Sequence, residues 1–210
     1  MVKVKVCGIT SQADALEAVE AGADALGFNF YAGSPRYIAP EEARRIIARL
    51  PPSVLCVGVF VNEDNAADVS RTAEQSGVSA VQLHGDESPE YCAELGGHEV
   101  IKALRVGKDF APEEAARYPA RSVLLDAYNA RARGGTGETF DWTLARLTRE
   151  VVAQLYLAGG LTPENVGEAI AVVAPYAVDV CSGVELAPGR KDAARVRAFV
   201  AAVRACEKKP

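Results

Sequence analysis

The chain has no Cys-x-x-Cys pair and no even set of cysteines. Cys7, Cys56, Cys92, Cys181 and Cys206 stand far apart, a pattern that fits neither a disulfide framework nor a clustered zinc site. Histidine is scarce too, at two residues, so a multi-histidine centre is not expected and no metal is assigned. No Gly-x-Gly-x-x-Gly loop follows the first β-branched segment, where the chain reads Cys7-Gly8-Ile9-Thr10, and a dinucleotide fold needs that turn. Excess positive charge is missing: 23 Lys+Arg against 28 Asp+Glu leave a net charge of −5. The basic block is only Lys208 and Lys209, which leaves no footprint for a nucleic acid. The apolar runs at 54–61 and 151–161 are too short to span a bilayer, and residues 1–10 lack the regions of a secretory leader. The expected location is the cytoplasm, with no membrane partner.

What is present is an ordinary globular composition, 49% apolar and 24% charged over 210 residues, enough to build a core without staples. β-Branched segments alternate with segments of helical period along the whole length. Strands are expected at 2–6, 25–30, 54–61, 80–83, 99–104, 122–126, 154–157 and 177–180. Pro40 opens a helix in which Ala43, Ile46, Ile47 and Leu50 make one stripe, and Val196, Phe199, Val200 and Val203 repeat it near the end. Ser11, Ser88, Asp141 and Thr162 are N-cap candidates, and Gly22, Gly77 and Gly96 sit where helices should close. Such alternation requires a parallel sheet, because each strand must return through a helix before the next pairs with it. Eight units in this length predict a (β/α)8 TIM barrel of the α/β class, each strand followed by a helix, as a single domain over 1–210.

In that architecture chemistry sits where the strands end. The positions so selected are Cys7, the stretch 29–36 with Arg36, His84, Asp126, the pair Gly159 and Gly160, and the pair Ser182 and Gly183. Small residues in the seventh and eighth loops let backbone N–H groups reach a phosphate; glycines also serve plain tight turns. Alternation puts Lys3, Lys5 and Cys7 on the inward face of the first strand, and Leu124 with Asp126 on one face of the sixth. A thiolate base and a carboxylic acid across one mouth would make an acid–base pair, with Lys5 as the charge expected to favour the thiolate. The alternative for Cys7 is packing material. Arg36, stiffened by Pro35, either meets a planar carboxylate or is a solvated surface arginine. His84, on the parity of Gln82, reads equally as a satisfied core histidine, an orienting donor or a base. The stretch 128–139, with Arg131, Arg133, Gly134, Gly135 and Gly137, is long enough to be a lid or binding loop.

Seven blocks in order resemble the phosphoribosylanthranilate isomerase family of tryptophan biosynthesis. They are Lys5 to Thr10; Gly27-Phe28-Asn29-Phe30 on to Ser34-Pro35-Arg36-Tyr37; Val57 to Asn62; Gln82-Leu83-His84-Gly85; Asp126 with Gly134-Gly135-Thr136-Gly137 and Phe140-Asp141-Trp142; Leu157 to Leu161; and Asp179 to Glu185. The resemblance covers nearly the whole chain. It implies an Amadori rearrangement of a small-molecule phosphosugar substrate without a cofactor, by a monomer or homodimer. It also implies Cys7 as general base, Asp126 as general acid, and Arg36 facing the anthranilate carboxylate. Gly160, Ser182 and Gly183 match the phosphate site, with His84 and Asp179 in supporting roles. The chain departs from the family at Cys181, where serine is usual, and 130–133 is not diagnostic of it. The rivals are another phosphosugar isomerase barrel and a non-catalytic phosphate-ligand barrel. The histidine-pathway isomerase carries aspartate in place of Cys7. Indole-glycerol-phosphate synthase uses a catalytic lysine and a longer N-terminal extension.

Overall fold

The computed structural model describes residues 1–107, 109–126 and 142–206. Eight strands form: β1 Lys3–Cys7, β2 Ala25–Asn29, β3 Leu55–Phe60, β4 Ala80–Leu83, β5 Glu99–Arg105, β6 Ser122–Asp126, β7 Gln154–Ala158 and β8 Ala177–Val180. Each lies within one residue of its expected bounds. They pair in parallel in chain order, and β8 closes onto β1 through Lys5↔Asp179 and Val6↔Val180. The period of two gives each strand an outer and an inner face, and β3 to β8 contribute to apolar cores on both. Val4, Val6, Leu26, Phe28, Val123 and Leu125 face the helix layer, while Val57, Ala80, Ile101, Leu124, Tyr156 and Ala177 fill the barrel. The inward parity expected for Cys7 and Asp126 follows from this division.

The helices are α1 Gln12–Ala21, α2 Pro40–Ile47, α3 Ala66–Ser76, α4 Pro89–Glu94, α5 Trp142–Val151, α6 Val166–Val173 and α7 Ala193–Cys206. Ser11 and Ser88 cap α1 and α4 by accepting from the N–H groups of Asp14 and Tyr91, and Gly22 and Gly77 close α1 and α3 in the left-handed region. Thr162 is not the cap of α6: its hydroxyl accepts from Glu164 N–H in the preceding turn, and Asn165 stands at the cap. Leu95, not Gly96, caps α4. Asp141 lies outside the described residues. In α2 the stripe buries Ala43 and Ile46, but Leu50 falls beyond the helix end.

Two features depart from the simple alternation. After β5 the chain makes a 3₁₀ helix, Pro112–Arg117, in place of an α-helix. With six residues and Ala115 alone buried, it has no apolar stripe to support a longer helix. After β8 a 3₁₀ turn, Ser182–Val184, leads into a hairpin of β9 Glu185–Ala187 and β10 Arg190–Lys191, turned by Pro188 and Gly189. Among the described residues no helix is long and apolar enough to cross a membrane.

Phe199, fully buried on α7, anchors the outer core. Phe199→Ala should cost about 3–5 kcal/mol, read as a lower denaturation midpoint with an unchanged denaturant slope.

Candidate active site

The carboxyl ends of the strands surround a cavity of about 270 Å³, and Cys7, Arg36, His84, Asp126, Gly160, Ser182 and Gly183 all line it. Barrel closure is what gathers them, since they come from loops distributed over most of the chain.

At β1, Lys5 is fully buried and donates from Nζ to Asp179 Oδ1 at 2.9 Å. Burial opposes its charge, but Asp179 and the Cys7 sulfur outweigh that, and its pKa is raised. Lys5 therefore stays protonated, with a carboxylate already against it. The consequence for Cys7 differs from the sequence expectation. Burial pushes the thiol up and Asp179 adds to it, while Lys5 and Lys191 pull it down; the net shift is upward. Lys5 does act in the expected direction, but Asp179 offsets its charge and burial wins. Space for the thiol comes from β2, where Gly27 stands opposite Cys7. A Cβ at Gly27 would lie 2.7 Å from Cys7 Sγ.

Across the mouth, Asp126 ends β6 and meets His84, with 3.3 Å between His84 Nε2 and Asp126 Oδ2. His84 Nδ1 lies 2.8 Å from Gln82 Nε2. An amide donating to Nδ1 leaves the ring proton on Nε2, aimed at Asp126. At 24% exposure, His84 is not a core histidine; its geometry suits an orienting donor. Gln82 Oε1 is buried with no hydrogen-bond partner among the described residues, and Gln82 lines the same cavity.

Arg36 is not a free surface arginine. Its Nε reaches the two Glu185 oxygens at 2.9 and 3.2 Å, and its Nη2 reaches Oε2 at 2.6 Å. Glu185 also accepts from Lys191 Nζ at 2.9 Å and Gly189 N–H at 3.2 Å. Burial alone would raise the Glu185 pKa, but the Arg36 and Lys191 bonds hold it down at about 2. Lys191 donates in turn to the Cys7 carbonyl at 2.5 Å. Sequence reasoning missed the part played by Glu185 and Lys191. The available signal was Pro188-Gly189, a tight-turn dipeptide that folds 185 back toward 191.

The seventh and eighth loops touch. Gly160 has φ +65, which favours glycine, and a Cβ on Gly183 would sit 2.0 Å from the Leu161 carbonyl oxygen, which leaves room for glycine alone unless the loop shifts. Asn165 Nδ2 holds the Gly160 carbonyl at 3.0 Å and Arg195 Nε the Gly183 carbonyl at 2.8 Å. With these peptides fixed, the paired small-residue loops suit an anion. Burial pushes the Cys181 thiol up to about 12, so it is uncharged at neutral pH beside these loops. The segment 128–139, with the expected lid, and Phe140 and Asp141 lie outside the described residues. Among the described residues, no group of three or more His, Cys, Asp or Glu is arranged to hold a metal ion.

Comparison with known proteins places the chain in one family. The profile of the family described as N-(5′-phosphoribosyl)anthranilate (PRA) isomerase matches residues 4–202. An N-(5′-phosphoribosyl)anthranilate isomerase of Geobacter metallireducens is 55% identical over 200 residues, 95% of this chain and 98% of its own. The fold is similar to the crystal structure of phosphoribosyl anthranilate isomerase from Thermotoga maritima, with TM-score 0.89 and 47% identity over 98% of this chain and all of that one. It is similar also to such an isomerase in complex with reduced 1-(o-carboxyphenylamino)-1-deoxyribulose 5-phosphate, with TM-score 0.86, 46% identity and the same coverage.

Proposed function

The chain belongs to the N-(5′-phosphoribosyl)anthranilate isomerase family and catalyses that isomerisation in tryptophan biosynthesis on a small phosphosugar; from this premise we propose how its residues carry the reaction. Asp126 is the general acid and Cys7 the general base. The observation that carries this assignment is their placement in the lining of one cavity, from strands separated by β7 and β8, between Arg36 and the paired glycine loops.

The loops at Gly160, Ser182 and Gly183 hold the phosphate through backbone N–H groups, and Arg36 faces the anthranilate carboxylate. The sugar then lies between Asp126 and Cys7. Asp126 protonates the furanose ring oxygen as the C1′–O bond breaks, and the nitrogen lone pair closes a C1′=N iminium. Cys7, as thiolate, removes the C2′ proton; the released pair forms the C1′=C2′ bond and neutralises the iminium, giving an enolamine. Loss of the 2′-hydroxyl proton and protonation of C1′ then yield the 2′-ketone and the secondary amine. His84 keeps Asp126 directed at the sugar, and the Lys5–Asp179 ion pair packs beneath Cys7 with its charge largely compensated. We place the chain in the cytoplasm as one barrel domain over 1–210, acting as a monomer or homodimer with the site built from one chain.

Mixing the purified protein with phosphoribosylanthranilate tests the reading. Anthranilate fluorescence should decay with first-order dependence on protein concentration; no decay with folded protein would refute it. A second expectation concerns the phosphate loops. Gly183→Ala must push the Leu161 carbonyl away and spread the cradle, so KM should rise about tenfold or more for loss of a charge-assisted hydrogen bond, with a smaller change in kcat. Steady-state kinetics alongside circular dichroism would separate this from misfolding.

A further inference from the structure

The Arg36 guanidinium has two edges that can fork onto a carboxylate, and Glu185 occupies one of them, through Nε and Nη2. Among the described residues nothing accepts from Nη1, so the edge made by Nη1 and the second hydrogen of Nη2 is the one left for a ligand. Glu185 is itself fixed: its side chain is 4% exposed, and it is held by Nζ of Lys191, whose side chain is 1% exposed, and by Gly189 N–H in the same hairpin. Two cations against one carboxylate leave a single net positive charge at this wall. That matches one carboxylate on the ligand and leaves an uncarboxylated ring facing an uncompensated guanidinium. Lys191 links the same unit to the Cys7 carbonyl, so the carboxylate-facing edge and the proposed base share one frame.

We propose that Glu185 is the positioning residue that sets selectivity for a carboxylated aromatic ring, by fixing which edge of Arg36 faces the cavity. This rests on the reading of Arg36 as the group facing the anthranilate carboxylate. Glu185 touches no reacting atom; it acts through Arg36.

The test is a ratio of affinities. The probes are reduced 1-(o-carboxyphenylamino)-1-deoxyribulose 5-phosphate and the same compound without the ring carboxylate, titrated by calorimetry into the whole protein. The unaltered protein should prefer the carboxylated probe by about tenfold or more, as for a charge-assisted bidentate contact. Glu185→Gln should reduce that preference to under about threefold, and in an Arg36→Met background it should change the ratio by less than about twofold, since the two act as one unit. Glu185→Gln also leaves Lys191 buried without its carboxylate and adds a positive charge that by itself favours the carboxylated probe, so Glu185→Gln with Lys191→Met, which keeps one net positive charge at the wall, is measured beside it and should show the collapse free of that offset. A merely structural role would weaken both probes equally and leave the ratio intact. A preserved ratio in both Glu185 variants, with a collapsed one in Arg36→Met, would overturn the proposal and leave the Arg36 reading standing. A preserved ratio in Arg36→Met would overturn that reading and the proposal with it.

Discussion

Cys7→Ser should lower kcat by about 10³-fold, within the range for loss of a general base, while KM and the denaturation midpoint change little. The substitution is nearly isosteric and fits the space that Gly27 leaves beside Cys7. It removes the one property the step needs, a group that can become an anion near neutral pH, because a serine hydroxyl holds its proton far more tightly. The environment adds a pH signature. Burial pushes the Cys7 thiol above its ordinary value despite Lys5, so the thiolate is a minority species at neutral pH but a stronger base for it. In the free protein the thiolate fraction grows as pH rises toward that raised value. The rate constant kcat/KM should therefore climb through the alkaline range, and Cys7→Ser should flatten the climb. Fluorescence progress curves between neutral pH and the onset of alkaline unfolding would show either outcome.

Asp126→Asn should lower kcat by about 10²–10³-fold for loss of a general acid. Asparagine keeps the size and can still meet His84 Nε2, but it has no acidic proton to transfer to the ring oxygen. The fold should be indifferent, because the Asp126 side chain is 25% exposed and its one side-chain hydrogen bond among the described residues is the 3.3 Å approach of His84, while its backbone pairing is untouched by the change. Activity near that of the unaltered protein, in a variant shown to be folded, would remove Asp126 from the mechanism. Combining Asp126→Asn with Cys7→Ser should give less than the product of the two losses, since each limits a different step of one sequence.

The barrel was legible because strand content here is a local property. Runs such as Val123-Leu124-Leu125 favour a strand through their own side chains, and period two alone then assigns Cys7 and Asp126 to the inner face. The positions of the candidate site followed from the rule that strand ends converge. What could not be read was pairing through space. Lys5 meets Asp179 across 174 residues and Arg36 meets Glu185 across 149, and both contacts depend on how β8 and its hairpin close onto β1. Reading Lys5 without Asp179 overstated its pull on the Cys7 thiol, because an ion pair presents far less field than a lone ammonium. The missing α-helix after β5 has a similar origin: a six-residue turn with Ala115 as its buried contact satisfies the geometry of a short crossover, which no propensity reports.

The central claim is that Cys7 removes the C2′ proton after Asp126 has opened the ring, and deuterium at C2′ of the substrate tests it most directly. In Cys7→Ser the C–H cleavage is the impaired step, so the deuterated substrate should turn over several-fold more slowly. In Asp126→Asn ring opening limits, and the two substrates should react at nearly the same rate. Equal isotope effects in the two variants, or none in Cys7→Ser, would contradict the assignment of the proton to Cys7.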